Sequence, residues 1–321
     1  MATALNQGLR RSLASDDRVM IMGEDVGRLG GVFRVTDKLQ AEFGADRVID
    51  TPLAESGIIG TAIGLAMRGY RPVCEIQFDG FIYPAFDQIV SQVAKIHSRT
   101  DGTVKVPLTI RVPYGGGIGA VEHHSESPEA YFAHTAGLRV VTCSSADDAY
   151  GMIQQAIRSD DPVLFFEPKR VYRAAKGEVP EGDYTVDLSK AAVVREGKHV
   201  TIIAWGAMLY EAIAAAEQAA GGAHGIDCEI IDLRTLWPVD IDTIVESVKK
   251  TGRVIVVHEA PKTCGFGAEL IALINEKAFL HLEAPPKRVT GFDTPFPYTL
   301  EMEYLPLAHR ILPAIVETAS F

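Results

Sequence analysis

The sequence predicts an α/β protein built from two parallel-sheet domains, and three observations predict it. Short β-type runs alternate with helical stretches of about 10–15 residues, the pattern of strand–helix–strand crossovers. A polar tract rich in Glu, Gly and Pro, with Lys176-Gly177-Glu178-Val179-Pro180-Glu181-Gly182-Asp183 at its centre, interrupts that alternation. Beyond the tract the same alternation resumes. At 321 residues the chain accommodates two domains of ordinary size. The boundaries are read as 1–175 for the first domain, 176–190 for the linker and 191–321 for the second.

In order along the first domain, Val19-Met20-Ile21-Met22 is a short apolar strand, followed by Gly23-Glu24-Asp25-Val26-Gly27. Val35 to Phe43 has helical character, and Arg47-Val48-Ile49-Asp50 is a second strand. Pro52 restricts Thr51 to extended geometry, so the chain turns a corner there before Ser56 to Ala66, which reads as a buried helix with glycines at 57, 60 and 64. Arg71 to Ile76 returns as a strand. Phe86, Ile89, Val90, Val93 and Ile96 fall at helical spacing. Leu108 to Val112, Arg139 to Thr142 and Val163 to Phe166 are further strands, the last two flanking a helix over 146–158. In the second domain, strands over 200–204, 228–231 and 254–257 alternate with helices over 209–220, 241–250 and 267–279.

Composition sets outer limits. Hydrophobic content of 47% and charged content of 23% belong to a soluble globular protein with a core large enough to need no staples. A net charge of -11 without a basic tract argues against nucleic acid and anionic membrane surfaces as partners. No segment reaches the ~18 uninterrupted apolar residues of a membrane span. The Met1 to Arg11 opening lacks the apolar core of a secretory signal. Cys74, Cys143, Cys228 and Cys264 form no CxxC pair and no metal-ligand spacing, so no metal site is expected and the compartment is read as reducing.

Three segments are candidates for chemistry. In Thr51-Pro52-Leu53-Ala54-Glu55-Ser56-Gly57 a carboxylate sits between an extended corner and the positive end of an apolar helix. The helix end favours its charge and desolvation opposes it. Glu55 therefore has two readings, a residue of the first turn or a reactive carboxylate. Each helix-interior glycine costs roughly 1 kcal/mol against Ala, so glycines 57, 60 and 64 point to a close neighbour, in this domain or on another chain. The second segment, Gln77 with Phe78, Phe81 and Tyr83, lies where a strand gives way to a helix, the edge at which open α/β sheets bind ligands. These aromatics read as ordinary core or as faces for a flat heterocycle. The third, Pro113-Tyr114-Gly115-Gly116-Gly117-Ile118-Gly119, lacks the Lys-Ser/Thr ending of a phosphate loop. It is read as a mobile loop delivering His123 and His124, as acid/base groups or as idle surface.

In sequence order these segments resemble the β subunit of a 2-oxoacid dehydrogenase E1 component. The resemblance runs through Gly23-Glu24-Asp25-Val26-Gly27, Thr51 to Glu55, Glu75-Ile76-Gln77-Phe78, His124 to Ala130, Phe166 to Arg170, Asp232 to Leu236 and Arg288 to Pro297. It implies a transketolase-like pyrimidine-binding domain followed by a transketolase C-terminal domain. It implies thiamine diphosphate as cofactor, an α₂β₂ assembly with an E1 α subunit, and a lipoyl-bearing E2 acyltransferase as partner. Glu55 matches the family's key carboxylate, which shares a proton with the aminopyrimidine ring. Leu53 and Phe81 match positions lining that ring, and Gln77 stands with them. His124 matches the histidine placed near the reacting acyl group; His123 has no such match. No Gly-Asp-Gly followed by Asn occurs, so the diphosphate and Mg²⁺ are expected on the α subunit. The runs Ser127-Pro128-Glu129-Ala130 and Phe166-Glu167-Pro168-Lys169 lean toward branched-chain 2-oxoacids, 2-oxoisovalerate among them, with pyruvate as the second reading. A non-catalytic scaffold binding E2 is the alternative of another class. The expected location is the cytoplasm of a bacterium, or the mitochondrial matrix for a chain whose transit peptide has been removed.

Two departures from the family pattern matter. Phe81 stands where relatives often carry Tyr, which removes a hydroxyl and keeps the stacking face. Glu126 stands where they often carry Gln. An added negative charge near His124 raises the imidazole pKa, so Glu126→Gln is expected to lower it. Titration of His124 by NMR in both proteins checks this, and identical curves would refute it.

Overall fold

A computed structural model describes residues 1–221 and 224–321. They form two compact units, one of residues 1–114 and 131–188, the other of residues 115–130 and 189–321. The glycine-histidine segment 115–130, counted above with the first domain, thus belongs by its packing to the second.

The first unit carries β1 (Val19–Gly23), β2 (Val48–Asp50), β3 (Arg71–Glu75), β4 (Thr109–Tyr114), β5 (Arg139–Thr142) and β6 (Val163–Pro168), in sheet order β5-β6-β4-β3-β1-β2. Every adjacent pair is parallel. β1 and β4 are buried throughout, as expected of parallel strands covered on both faces. Around them lie α1 (Ala2–Ser15), α2 (Leu39–Phe43), α3 (Glu55–Met67), α4 (Ile96–Arg99), α5 (Glu129–Ala133), whose first two residues fall in the second unit, and α6 (Ala146–Arg158). Ser145 caps α6 by accepting the Asp148 N–H at 3.2 Å. α1 packs on α6 so closely that a Cβ on Gly8 would stand 2.5 Å from Ile153 Cγ2.

The second unit carries β7 (Ala192–Arg195), β8 (Val200–Ala204), β9 (Cys228–Asp232), β10 (Thr235–Trp237), β11 (Val254–His258) and β12 (Lys287–Thr290). Five of these form a sheet of order β12-β11-β8-β9-β7, parallel except for the edge strand β7. Its helices are α7 (Met208–Ala220), α8 (Ile241–Thr251), α9 (Phe266–Ala278), α10 (Glu301–Tyr304) and α11 (Ala308–Ala319). α8 has both end signals: Asp240 accepts from Thr243 at its start and Gly252 adopts φ 66° at its end. Among the described residues no helix is long and apolar enough to cross a membrane. Cys74, Cys143 and Cys228 are buried and Cys264 is exposed.

The structure departs from the sequence reading in three helices. Only Leu39–Phe43 of the 35–43 stretch is helical, because Arg34 and Lys38 take left-handed φ values of 64° and 65° and buried Thr36 spends its hydroxyl on the Val26 carbonyl. Residues 86–97 widen through a π-type stretch over Gln88–Val93 before α4. α3 is half-buried rather than buried: Ile58, Ile59, Ala62, Ile63 and Ala66 face the core, while Gly57, Thr61 and Gly64 are exposed. Nothing lies within 4 Å of a Cβ built on Gly64.

At the centre of the first sheet stands Arg111, fully buried on β4. Its Nε and Nη2 donate to the two oxygens of Glu167 at 2.7 and 2.8 Å, and Nη1 donates to Glu75 Oε2 at 2.6 Å. The Tyr172 hydroxyl donates to Glu167 Oε2 at 2.5 Å. Burial opposes the arginine's charge, and Glu167 and Glu75 more than offset it, so its pKa lies above the ordinary value. Burial raises the Glu75 pKa against the pull of Arg111. Removing one member of a buried pair strands the others without solvent. Arg111→Ala is expected to lower unfolding free energy by about 3–5 kcal/mol. That loss should shrink on acidification, because the stranded carboxyls acquire raised folded-state pKa values and regain stability by taking up protons. Urea titrations at several pH values check both statements.

Candidate functional site

In the first unit the predicted residues gather beyond the carboxyl ends of β1, β2 and β3, which lie side by side. Gly23 pairs with Asp50 on one flank and Glu75 on the other. The Thr51 N–H reaches back to the Gly23 carbonyl at 2.9 Å, which fixes the corner leading to Glu55. Asp50 Oδ1 accepts the Gly27 N–H at 2.6 Å and pins the loop after β1; a Cβ on Gly27 would lie 2.4 Å from Asp50 Oδ2.

Glu55 is the first residue of α3 and only 7% exposed. Ala54, not Glu55, occupies the cap position, and no side-chain capping bond forms. Glu24 is also buried, and its pKa is raised by burial first, then by the charges of Glu55 and Asp25. Among the described residues Glu24 Oε1 and Thr51 Oγ1 are buried without a hydrogen-bond partner. A Glu24 oxygen and the Thr51 hydroxyl with unmet capacity thus lie at the sheet edge where Glu55 stands, a costly arrangement for a purely structural corner.

Gln77 joins this group: its Nε2 donates to the Asp25 carboxylate at 3.1 Å and to the Glu24 carbonyl at 3.4 Å. Phe81 is half-buried on the short turn after β3, edge-on to Phe78 at 5.7 Å. Phe78 in turn meets Phe33 at 5.4 Å and lies under the Lys169 ammonium, which is buried in an ion pair with Asp79. Leu53 is 80% exposed and stands away from the core on the corner before α3.

His124 lies in the second unit, at the end of a single 3₁₀ turn over Glu122–His124. Its ring contacts that of His123 at 4.7 Å, and His123 Nδ1 sits 3.3 Å from Glu122 Oε1. The glycines that precede it are bracketed, contrary to the mobile loop expected. Glu259 Oε2 accepts the Gly116 N–H at 2.8 Å, and Glu301 accepts from Gly117 and Gly119 at 3.1 Å. A Cβ on Gly116 would meet the Phe296 ring at 2.5 Å. Among the described residues no three His, Cys, Asp or Glu side chains converge as a metal cage.

Sequence reasoning missed several residues. Glu24 carries one signal in the sequence, a pair of adjacent acids directly after a buried strand. Arg111 gave a weak signal, a lone charge in an apolar strand.

Comparison with known proteins bears on both units. Residues 1–175 match the family described as transketolase, pyrimidine binding domain, and residues 189–311 match transketolase, C-terminal domain. The chain is similar to the "Pyruvate dehydrogenase E1 component subunit beta" of Leifsonia xyli, 57% identical across 100% of this chain and 95% of that protein. It is similar to the "2-oxoisovalerate dehydrogenase subunit beta" of Pseudomonas aeruginosa, 48% identical across 97% of this chain and 92% of that one. In fold it resembles a solved "Split gene transketolase, inactive beta4 tetramer", with TM-score 0.81 and 22% identity over 99% of this chain and 97% of that one.

The electrostatics of the first unit can be tested directly. Glu55→Gln removes the neighbouring charge that helps hold the Glu24 pKa up, so the Glu24 pKa should fall toward the ordinary carboxyl range. Carboxyl-carbon NMR titration of both proteins reads that shift, and an unmoved Glu24 would refute the coupling.

Proposed function

The chain belongs to the β subunits of 2-oxoacid dehydrogenase E1 components, and on that premise we propose that it serves the decarboxylation of a branched-chain 2-oxoacid, 2-oxoisovalerate or a homologue, with passage of the acyl group to a lipoyl group on E2. The observation that carries the site is buried Glu55 opening α3 beside Glu24, whose Oε1 is buried without a partner. The donor set suits an aminopyrimidine: carboxylates for a basic ring nitrogen and an amine, and an aromatic face at Phe81. Glu55 and Phe81 would hold that half of thiamine diphosphate, with Gln77 holding the Glu24 carbonyl and the Asp25 carboxylate and Leu53 supplying apolar contact. When bound, the cofactor supplies the nucleophilic carbon and the electron sink for loss of carbon dioxide.

The chain's own residues set proton positions. Glu55 holds a proton at the ring nitrogen, and apolar packing of Ile58 and Ile59 behind it keeps water out. Glu24 stands beside it with its pKa raised by burial and then by the charge of Glu55. His124 would donate or orient a proton at the acyl oxygen during transfer. The diphosphate and Mg²⁺ fall to an α subunit in an α₂β₂ assembly. That reading is supported by the lack of a Gly-Asp-Gly motif followed by Asn in the sequence and by the outward glycine face of α3. A pure scaffold would need neither Glu55 nor His124.

The branched-chain assignment rests on Ser127-Pro128-Glu129-Ala130 and Phe166-Glu167-Pro168-Lys169. Pyruvate is the second reading, favoured by the name of the Leifsonia relative. A panel of 2-oxoacids on the chain co-expressed with its α subunit separates them: kcat/KM should be highest for 2-oxoisovalerate, and a preference for pyruvate would reverse the assignment. Glu55→Ala should cost that pair at least the ~10²–10⁴-fold typical of an acid/base group. Decarboxylation at the wild-type rate in that variant would remove Glu55 from the site.

A further inference from the structure

Two buried ties join β3 to β6 across β4, and the sheet accounts for only one of them. The first is the Arg111 clamp, with Glu75 closing β3 and Glu167 in β6. The second lies beyond the strand ends. Lys169 follows Pro168, the last residue of β6, and its ammonium donates to Asp79, which opens the 3₁₀ turn Asp79–Ala85 after β3. Both side chains are fully buried. β3 and β6 are already in register with β4 along their lengths, so the strands need no second tie. A buried ion pair is also a weak source of stability, because desolvation offsets most of the attraction; its best-attested use is to fix one geometry.

The surroundings show which geometry is fixed. Phe78 directly precedes Asp79 in extended backbone, with φ -145° and ψ 157°. The Phe81 N–H donates to the Phe78 carbonyl at 3.0 Å. The Lys169 ammonium stands 5.5 Å from the centroid of the Phe78 ring, within the ~6 Å over which the negative face of a ring attracts a cation. That ring makes edge contacts with Phe81 at 5.7 Å and with Phe33 at 5.4 Å. Phe33 continues to Tyr172 at 5.1 Å, whose hydroxyl ends on Glu167 of the clamp. One ammonium thus holds two consecutive residues. Asp79 sets where the turn begins, and Phe78 sets the surface on which Phe81 packs. Phe81 is itself half-buried, and its turn is exposed at Tyr83 and Pro84, so burial alone constrains the ring weakly.

We infer that Lys169 is a positioning residue: through Asp79 and Phe78 it fixes the Phe81 ring as the aromatic face of the site. The inference rests on the reading above in which Phe81 lies against the aminopyrimidine. Lys169, fully buried, is given no contact with cofactor or substrate. It also gives the run Phe166-Glu167-Pro168-Lys169 a physical part, with Glu167 in the clamp and Lys169 in the latch beyond it.

Asp79→Asn combined with Lys169→Met tests this on the chain assembled with its α subunit, since the two changes together leave no charge stranded. 4-Fluorophenylalanine placed at position 81 reports on the ring without cofactor or turnover. The wild type should give one narrow fluorine resonance, and the double variant a shifted or broadened one. The dissociation constant for thiamine diphosphate should rise about tenfold, the scale of one aromatic contact. In a Phe81→Leu background the same two changes should cost nothing further, because the ring they hold is gone. A merely structural pair weakens binding equally in both backgrounds. An unmoved resonance at position 81 overturns the proposal, as does an equal loss in both backgrounds. Phe81→Leu alone tells two failures apart. Wild-type affinity in that variant removes Phe81 from the site and the proposal with it. Weak binding there, beside wild-type affinity in the double variant, removes Lys169 only. Should the double variant not fold, the wild type decides: the Lys169 Nζ resonance should shift when thiamine diphosphate is added to the native assembly, and a resonance that stays in place overturns the proposal.

Discussion

The first unit depends on the clamp that Glu75 and Glu167 place on the Arg111 guanidinium. A buried arginine carries a desolvation cost of several kcal/mol that only full hydrogen bonding offsets. Here three donors meet three carboxylate oxygens on neighbouring strands. The clamp ties β3, β4 and β6 together at the end of the sheet from which the site residues project. Two carboxylates against one guanidinium leave one negative charge in excess, and the Tyr172 hydroxyl tempers it at Glu167. The other oxygen of Glu75 faces Gly31, where a Cβ would approach to 3.0 Å. The charge of Glu75 is thus presented to the loop after β1, the loop that brings Glu24 and Asp25 toward Glu55 and Gln77. Electrostatics of the sheet centre and of its carboxyl edge are one problem, solved by the same buried residues.

The division between what the sequence announced and what it concealed follows from range. The alternation of strands and helices is local, so β1, β3, β5, β8, β11 and α6 to α9 were legible within a residue or two. Glu55 was legible because Pro52 and the glycine-spaced helix flank it directly. α1 was not, because Met1 in its cap position gives no start signal. α11 was masked by Pro313 inside it, a residue that in isolation ends a helix. The polar partners were hidden for another reason. Arg111 meets Glu75 and Glu167 across 36 and 56 residues of chain, and Glu259 meets Gly116 across 143. Pairings of that separation are set by sheet register and by packing, which no window of sequence encodes.

The glycine run after β4 shows the same limit from the opposite side. Its composition raises the idea of an anion cradle, since successive backbone N–H groups in left-handed turns form concave donors. The fold supplies the anions itself. Glu301 takes the amides of Gly117 and Gly119, and Glu259 takes that of Gly116. A loop whose donors are already filled by carboxylates of its own unit would repel a phosphate rather than bind it. The glycines are then needed for a different reason: Gly115 and Gly116 leave room for Glu259 Oε2 and the Phe296 ring, which any Cβ would displace. What looks from composition like a ligand-binding loop is a seat for two glutamates, and the histidine it carries inherits its position from them.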